Sequence, residues 1–432
     1  LLIRLLPKKR NTVRKSTCLV VAMFVCLSFA PALAAAPAAA ADTQAASALD
    51  AAKVLPPAHA AASLEQVQKY ERAIHIMAML LVGFGFLMVF VRGYGRSALT
   101  ATFLLVGLSA PMYFLLNHNG LFGPAADTDV DRLLMAEFAA ASLLICAGAV
   151  LGRLKMWQYL LLGAIFVPCY MANEWVLLEG GLGLLPKDTF LDTGGSIVIH
   201  AFGALFGFGA MLALTTRKQF DAPLATDATS DRYSLLGSMV LWVFWPSFCS
   251  ALVSPHEVPG TAINVIFALC GSTLATYIIG VLLRRKISPA DIANATLAGG
   301  VAIGATCRAE DFYTWSLAIG AIAGGLSTFG FAVIQPRLQA ALKKVDTCGV
   351  LYLHGLPGLM GGLAAAVVVP TRSTQLIGIL LVIPVAVAAG FIGGQLIAFT
   401  GRRQRPYEDE QEMIVEEAPA AAAEKLQEAA AN

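Results

Sequence analysis

Charge is what this sequence has least of. Asp, Glu, Lys and Arg together make up 13% of its 432 residues, and the two signs nearly cancel to a formal net charge of +2. So weak a balance carries no signature of a nucleic-acid partner, and none is expected. Cysteine is equally uninformative. Of the eight, Cys18 and Cys26 lie near the start, the other six are scattered through apolar stretches, and no Cys-x-x-Cys pair or disulfide framework is visible. What the chain has in excess is apolar surface: 57% hydrophobic residues and a mean hydropathy of +0.70. That exceeds what a soluble domain with a large core requires. Lipid offers the backbone no hydrogen bonds, and the apolar runs are too long and even for barrel strands, so the chain reads as an all-α polytopic membrane protein.

Residues 1–36 read as a cleavable signal peptide. Lys8, Lys9, Arg10, Arg14 and Lys15 precede an apolar run over 18–30, and small residues follow through Ala36. That run is shorter than the ~20 residues a span needs. Residues 37–72 are expected to form an Ala-rich extracytoplasmic lead-in. Eleven apolar segments then run from 73–91 to 375–399, the eighth (291–307) being the shortest. With the mature N-terminus outside, sixteen Lys and Arg fall on the cytoplasmic side, Arg284, Arg285 and Lys286 among them; only Arg132, Lys187, Arg308 and Arg372 fall on the other. This asymmetry sets the orientation independently of the leader. It makes the tail 401–432 cytoplasmic, with its acidic run 408–412 expected to be solvated.

One motif occurs twice. Asp192-Thr193-Gly194-Gly195 is followed, after four residues, by His200, and Asp346-Thr347-Cys348-Gly349 by His354. The copies fall on the fifth and tenth segments (194–215 and 347–369), so they enter the membrane from opposite faces. That predicts an inverted five-plus-five repeat (73–215 and 233–369) with one extra helix at 375–399, all within a membrane domain over 73–400. Eight residues at a rise of ~1.5 Å carry each His roughly 12 Å inward, near the middle of a ~30 Å core. His200 and His354 should therefore meet in depth. Asp192 and Asp346, followed by Thr and Gly, suit helix N-caps. Ionisable groups inside a membrane mark functional sites by default. A metal site is not expected, because zinc wants three or four ligands while His75 opens a span and His59, His118 and His256 lie in the leader or loops. No cofactor is expected either.

At these residues the chain resembles a known family. Asp346-Thr347-Cys348-Gly349 with Leu353-His354-Gly355-Leu356-Pro357-Gly358 is similar to the signature of the Rhesus (Rh) branch of the ammonium transporter superfamily. So are Trp245-Pro246-Ser247-Phe248, Asn173-Glu174 and Asn294-Ala295-Thr296 with Gly299-Gly300. The likeness runs over about 73–399 and is strongest to bacterial Rh proteins of ammonia oxidisers. It implies a homotrimer in the bacterial inner membrane, one narrow apolar pore per subunit, His200 and His354 as twin pore histidines, and Asp192 and Asp346 as the acidic residues at the motif starts. It further implies two stacked phenylalanines at an outer gate, Phe138 and Phe248. Cys249 stands where animal Rh proteins usually carry Asn.

The expected function is passage of ammonia, with ammonium recruited and deprotonated at the outer mouth. A bare ion faces several kcal/mol of desolvation at the membrane centre, which a small neutral molecule avoids. Carbon dioxide is a second candidate cargo. Two other classes stay open on the sequence alone: a secondary active transporter for an organic cation, using Glu137 or Glu174 as its intramembrane carboxylate, and a membrane sensor with a cytoplasmic regulator docking on the tail.

Overall fold

The fold is seen in a computed structural model, which describes residues 57–222, 224–411 and 413–414. The expected signal peptide, most of the Ala-rich segment and residues 415–432 lie outside the described residues. Among the described residues every regular element is a helix. Nine are long and apolar enough to cross a membrane: α1 (Ala62–Phe90), α2 (Gly95–His118), α3 (Asp129–Ala149), α4 (Gln158–Leu178), α5 (Ser196–Leu214), α7 (Val258–Arg284), α10 (Tyr313–Leu342), α11 (Leu351–Val368) and α12 (Arg372–Phe399).

The two other expected segments differ for local reasons. The sixth forms an unbroken helix, α6 (Ala228–Cys249). Polar residues such as Asp231, Arg232, Ser234 and Ser238 make it less apolar than the nine. The eighth is two short helices, α8 (Pro289–Ala295) and α9 (Ala298–Ile303). Gly299 and Gly300 in α9 press directly on the Ala268 carbonyl and the Trp245 ring. A second difference lies at the N-terminal end, where α1 is helical from Pro57, so the last part of the expected lead-in is helix. Within that part Lys69 pairs with Glu65 at 3.0 Å and with Asp131 at the start of α3 at 2.9 Å.

α3 and α5 are buried almost throughout, whereas α6, α7 and α12 present large apolar side chains outward, among them Met239, Leu274 and Leu380. Such a rim suits lipid as solvent. Small residues bring the inner backbones close: Gly203 and Gly207 on α5 lie against the carbonyls of Ser142 and Cys146 on α3, and Gly358 and Gly361 on α11 against those of Ser196 and Ala302. In lipid, packing of this kind replaces the hydrophobic drive between helices.

The halves also cross reciprocally. The Gly194 N–H donates to the Gly304 carbonyl at the end of α9 (2.8 Å), and the Thr347 and Cys348 N–H groups donate to Ala149 and Gly148 at the end of α3 (3.1 Å each). Each motif loop is therefore seated on the opposite half.

Candidate functional site

Each motif turns on one glycine. Gly195 has φ +71° and Gly349 φ +67°, a left-handed conformation that glycine adopts without steric cost. The reversal brings each Asp back over the helix it precedes. Asp192 Oδ2 accepts from the N–H groups of Ile197 (2.9 Å) and Val198 (2.7 Å). Asp346 accepts from Val350 and Leu351, both at 3.1 Å. Both carboxylates thus saturate N–H groups that a helix start leaves without partners.

Each cap leads into a π-helical turn, Ser196–Ala201 in the first copy and Leu351–Gly355 in the second. The wider turn sets the direction of the His side chain it contains, and such turns recur at functional sites. The outcome is direct contact. His200 Nδ1 and His354 Nδ1 lie 3.2 Å apart, with ring planes within 7° of each other, and both rings are buried. Two neutral imidazoles can hold this geometry only if one Nδ1 carries a proton and the other a lone pair. Their Nε2 atoms are then necessarily of opposite kind, one acceptor and one donor. His200 Nε2 is buried without a hydrogen-bond partner.

Phe138 on α3 and Phe248 on α6 meet with ring centroids 5.0 Å apart at an interplanar angle of 62°. The contact is edge to face rather than stacked, the arrangement that aromatic quadrupoles favour. Phe248 also lies 5.9 Å from His200. One turn further out, Met135 and Leu252 line a cavity of about 320 Å³ that also touches Tyr113, Asn117, Asp131 and Glu174. On the opposite side, His354 shares an apolar cavity of about 20 Å³ with Phe84, Leu144, Asn294 and Leu353, room for roughly one water-sized molecule. The order is larger cavity, phenylalanine pair, histidine pair, smaller cavity.

The remaining candidates are distributed around this line. Glu174 accepts hydrogen bonds from Tyr113 and Tyr170. Glu137 is buried on α3, one of its oxygens unpartnered. Cys249 is buried with its sulfur against Gly194, at the Asp192 motif. His75 bonds to Ser247 at 3.0 Å and takes no part in the pair. Among the described residues no group of three or more His, Cys, Asp or Glu gathers as metal ligands.

Two residues at the site escaped sequence reasoning, and so did the part played by a third, Ser196 of the first motif. Ser142 bonds to the Ile199 carbonyl beside His200, Ser196 Oγ ties α5 to the Val301 carbonyl and the Ala305 N–H, and Phe84 flanks His354. The serines sit at helix crossings, which only a three-dimensional arrangement reveals.

Comparison with known proteins matches this geometry to a family. Residues 65–417 match the Ammonium Transporter Family. The chain is 37% identical to rabbit (Oryctolagus cuniculus) ammonium transporter Rh type B, over 71% of this chain and 67% of that protein. It is 35% identical to the bovine (Bos taurus) Rh type A protein, over 74% and 75% respectively. Among solved structures it resembles Nitrosomonas europaea Rh50, of the Rhesus protein family of channels, at 49% identity and a TM-score of 0.80, covering 85% of this chain and 98% of that one. A repeated capped motif that seats two histidines in contact, behind a phenylalanine pair and on an all-helical membrane scaffold, therefore belongs to the Ammonium Transporter Family, in its Rh branch.

Proposed function

We propose that this protein is an Rh-type channel that conducts ammonia as the neutral molecule, with ammonium recruited and deprotonated on the outer side of Phe138 and Phe248, its proton passing to the water on that side. The observation that carries this reading is the unpartnered, buried Nε2 of His200 beside a histidine that already holds its Nδ1. A buried polar atom without a partner costs about 1–3 kcal/mol, and a passing molecule that both donates and accepts hydrogen bonds relieves that cost for an instant. Ammonia does both. Ammonium has only donors and brings a charge whose desolvation costs more than one such bond returns.

The phenylalanine pair supplies the second part. Aromatic faces attract a cation by about 0.5–2 kcal/mol, enough to gather ammonium at the mouth, while the two rings narrow the route below. Asp192 and Asp346 hold the helix starts that aim the histidines. The protein is further proposed to act as a homotrimer in a bacterial inner membrane, its mature N-terminus outside and its tail cytoplasmic, a reading supported by the charge asymmetry of the connections and by the family.

The test is flux in liposomes containing the full-length protein, followed by internal pH while membrane voltage is clamped by a potassium gradient. Alkalinisation independent of voltage is the expected result. Transfer of one positive charge per ammonia, rising with an inside-negative potential, would overturn neutral passage.

A further inference from the structure

The histidine pair is the middle of a longer row of rings. Trp245 on α6 lies 5.5 Å from His200 with planes 19° apart, and Phe84 on α1 lies 6.2 Å from His354 with planes 25° apart. Between them the imidazoles are within 7° of parallel. All four rings are buried. The row also has the symmetry of the chain, because α1 opens the first half and α6 opens the second.

Helix irregularities place three of the four members. Phe84 ends a π-helical turn, Met79–Phe84, and the two histidines lie in π-helical turns of their own. Trp245 directly precedes Pro246 inside α6, whose helix runs unbroken through it. Space is reserved as well: a Cβ on Gly300 would fall 2.5 Å from the Trp245 ring.

Imidazole planes need such support. The torsion that turns a histidine ring is a broad sp³–sp² one, so no intrinsic preference holds two rings coplanar. A modest rotation of either would separate the two Nδ1 atoms and uncouple the tautomers.

We infer that Trp245 and Phe84 are positioning residues for the twin histidines, closing both ends of a four-ring row that keeps the imidazoles coplanar and their Nε2 atoms of opposite kind. This rests on the reading of the pair as the lining of an ammonia path. Trp245 touches neither cargo nor proton in this role; it acts through His200, as Phe84 acts through His354.

The experiment uses full-length protein with ¹⁵N-labelled histidine in lipid bilayers, the pair assigned by comparison with His200→Ala and His354→Ala. Solid-state NMR then reads the imidazole nitrogens, and liposomes of the same preparations read ammonia flux. Wild type should give one protonated and one unprotonated Nδ1, hydrogen-bonded to each other. Trp245→Leu and Phe84→Leu should replace this pattern with averaged tautomer signals and lower flux by about three- to tenfold, as for one hydrogen bond lost. Trp245→Phe should restore both readouts, and Gly300→Ala, which displaces the indole without removing it, should disturb both. Wild-type nitrogen signals in Trp245→Leu would overturn the inference. If the Leu variants fail to fold, an undisturbed pattern in Gly300→Ala overturns it instead. If wild type carries no ammonia while the tautomer pattern responds to Trp245, the functional reading fails and the positioning role stands.

Discussion

At the residue scale, the paired histidines and their glycines decide most. His200→Ala or His354→Ala removes one of two coupled hydrogen-bonding groups, so flux should fall by about three- to tenfold while the protein elutes as wild type. Unchanged flux in both variants would take the pair off the path. Gly195→Ala should be costlier to the fold. It imposes a left-handed conformation worth roughly 1–2 kcal/mol on a residue with a side chain, and its Cβ would meet the Ile199 side chain at 2.3 Å; a lowered unfolding temperature in detergent checks this. Outside the membrane, hydrogen bonds from Arg308 hold the Glu257 carboxyl below its ordinary range. A depressed carboxylate contributes stability above its unfolded value, near 4.3, and loses it as pH falls through the lower folded value. Glu257→Gln should therefore lower stability modestly at neutral pH and converge with wild type in acid, which flattens the acid limb of the stability profile.

The spacing of Asp-Thr-x-Gly to His was legible because it is local and repeated, and it correctly brought His200 and His354 to one depth. The contact between them was not. It depends on a π-helical turn around each histidine, and five or six residues are too few for hydrophobic periodicity to register a change of pitch. Phe84 carried no signal at all, being one of 23 phenylalanines in an apolar chain.

At the scale of elements, helix ends and crossings were the hard part. The acidic run beginning at Glu408 reads as solvated, yet Asp409 accepts from the N–H groups of Arg96 and Ser97 at 2.9 Å each. It thereby caps α2, whose own N-cap residue Tyr94 offers no side-chain bond. A cap supplied from 313 residues away leaves no local trace in the sequence. Asp409→Ala should cost about 0.5–2 kcal/mol and speed amide exchange in the first turn of α2; exchange equal to wild type there would show the cap to be idle. Close packing is likewise built into the broken segment of α8 and α9, where Gly299 and Gly300 make room for α7 and Trp245. The long helices that face lipid were the readily legible elements, because their outer surfaces need only be apolar.

At the scale of the whole molecule, the repeated motif was legible in the sequence, while the way the two halves lock was not. Gly194 bonding to Gly304, with Thr347 and Cys348 bonding to Ala149 and Gly148, fastens each half to the other at both ends of the histidine pair. A carrier that alternates access must rock its halves about a central site, and here that rocking would break both fastenings and the imidazole contact in every cycle. Transport should consequently show the kinetics of permeation through a fixed body: a shallow temperature dependence, no acceleration by ammonia preloaded on the far side, and no saturation set by a turnover step.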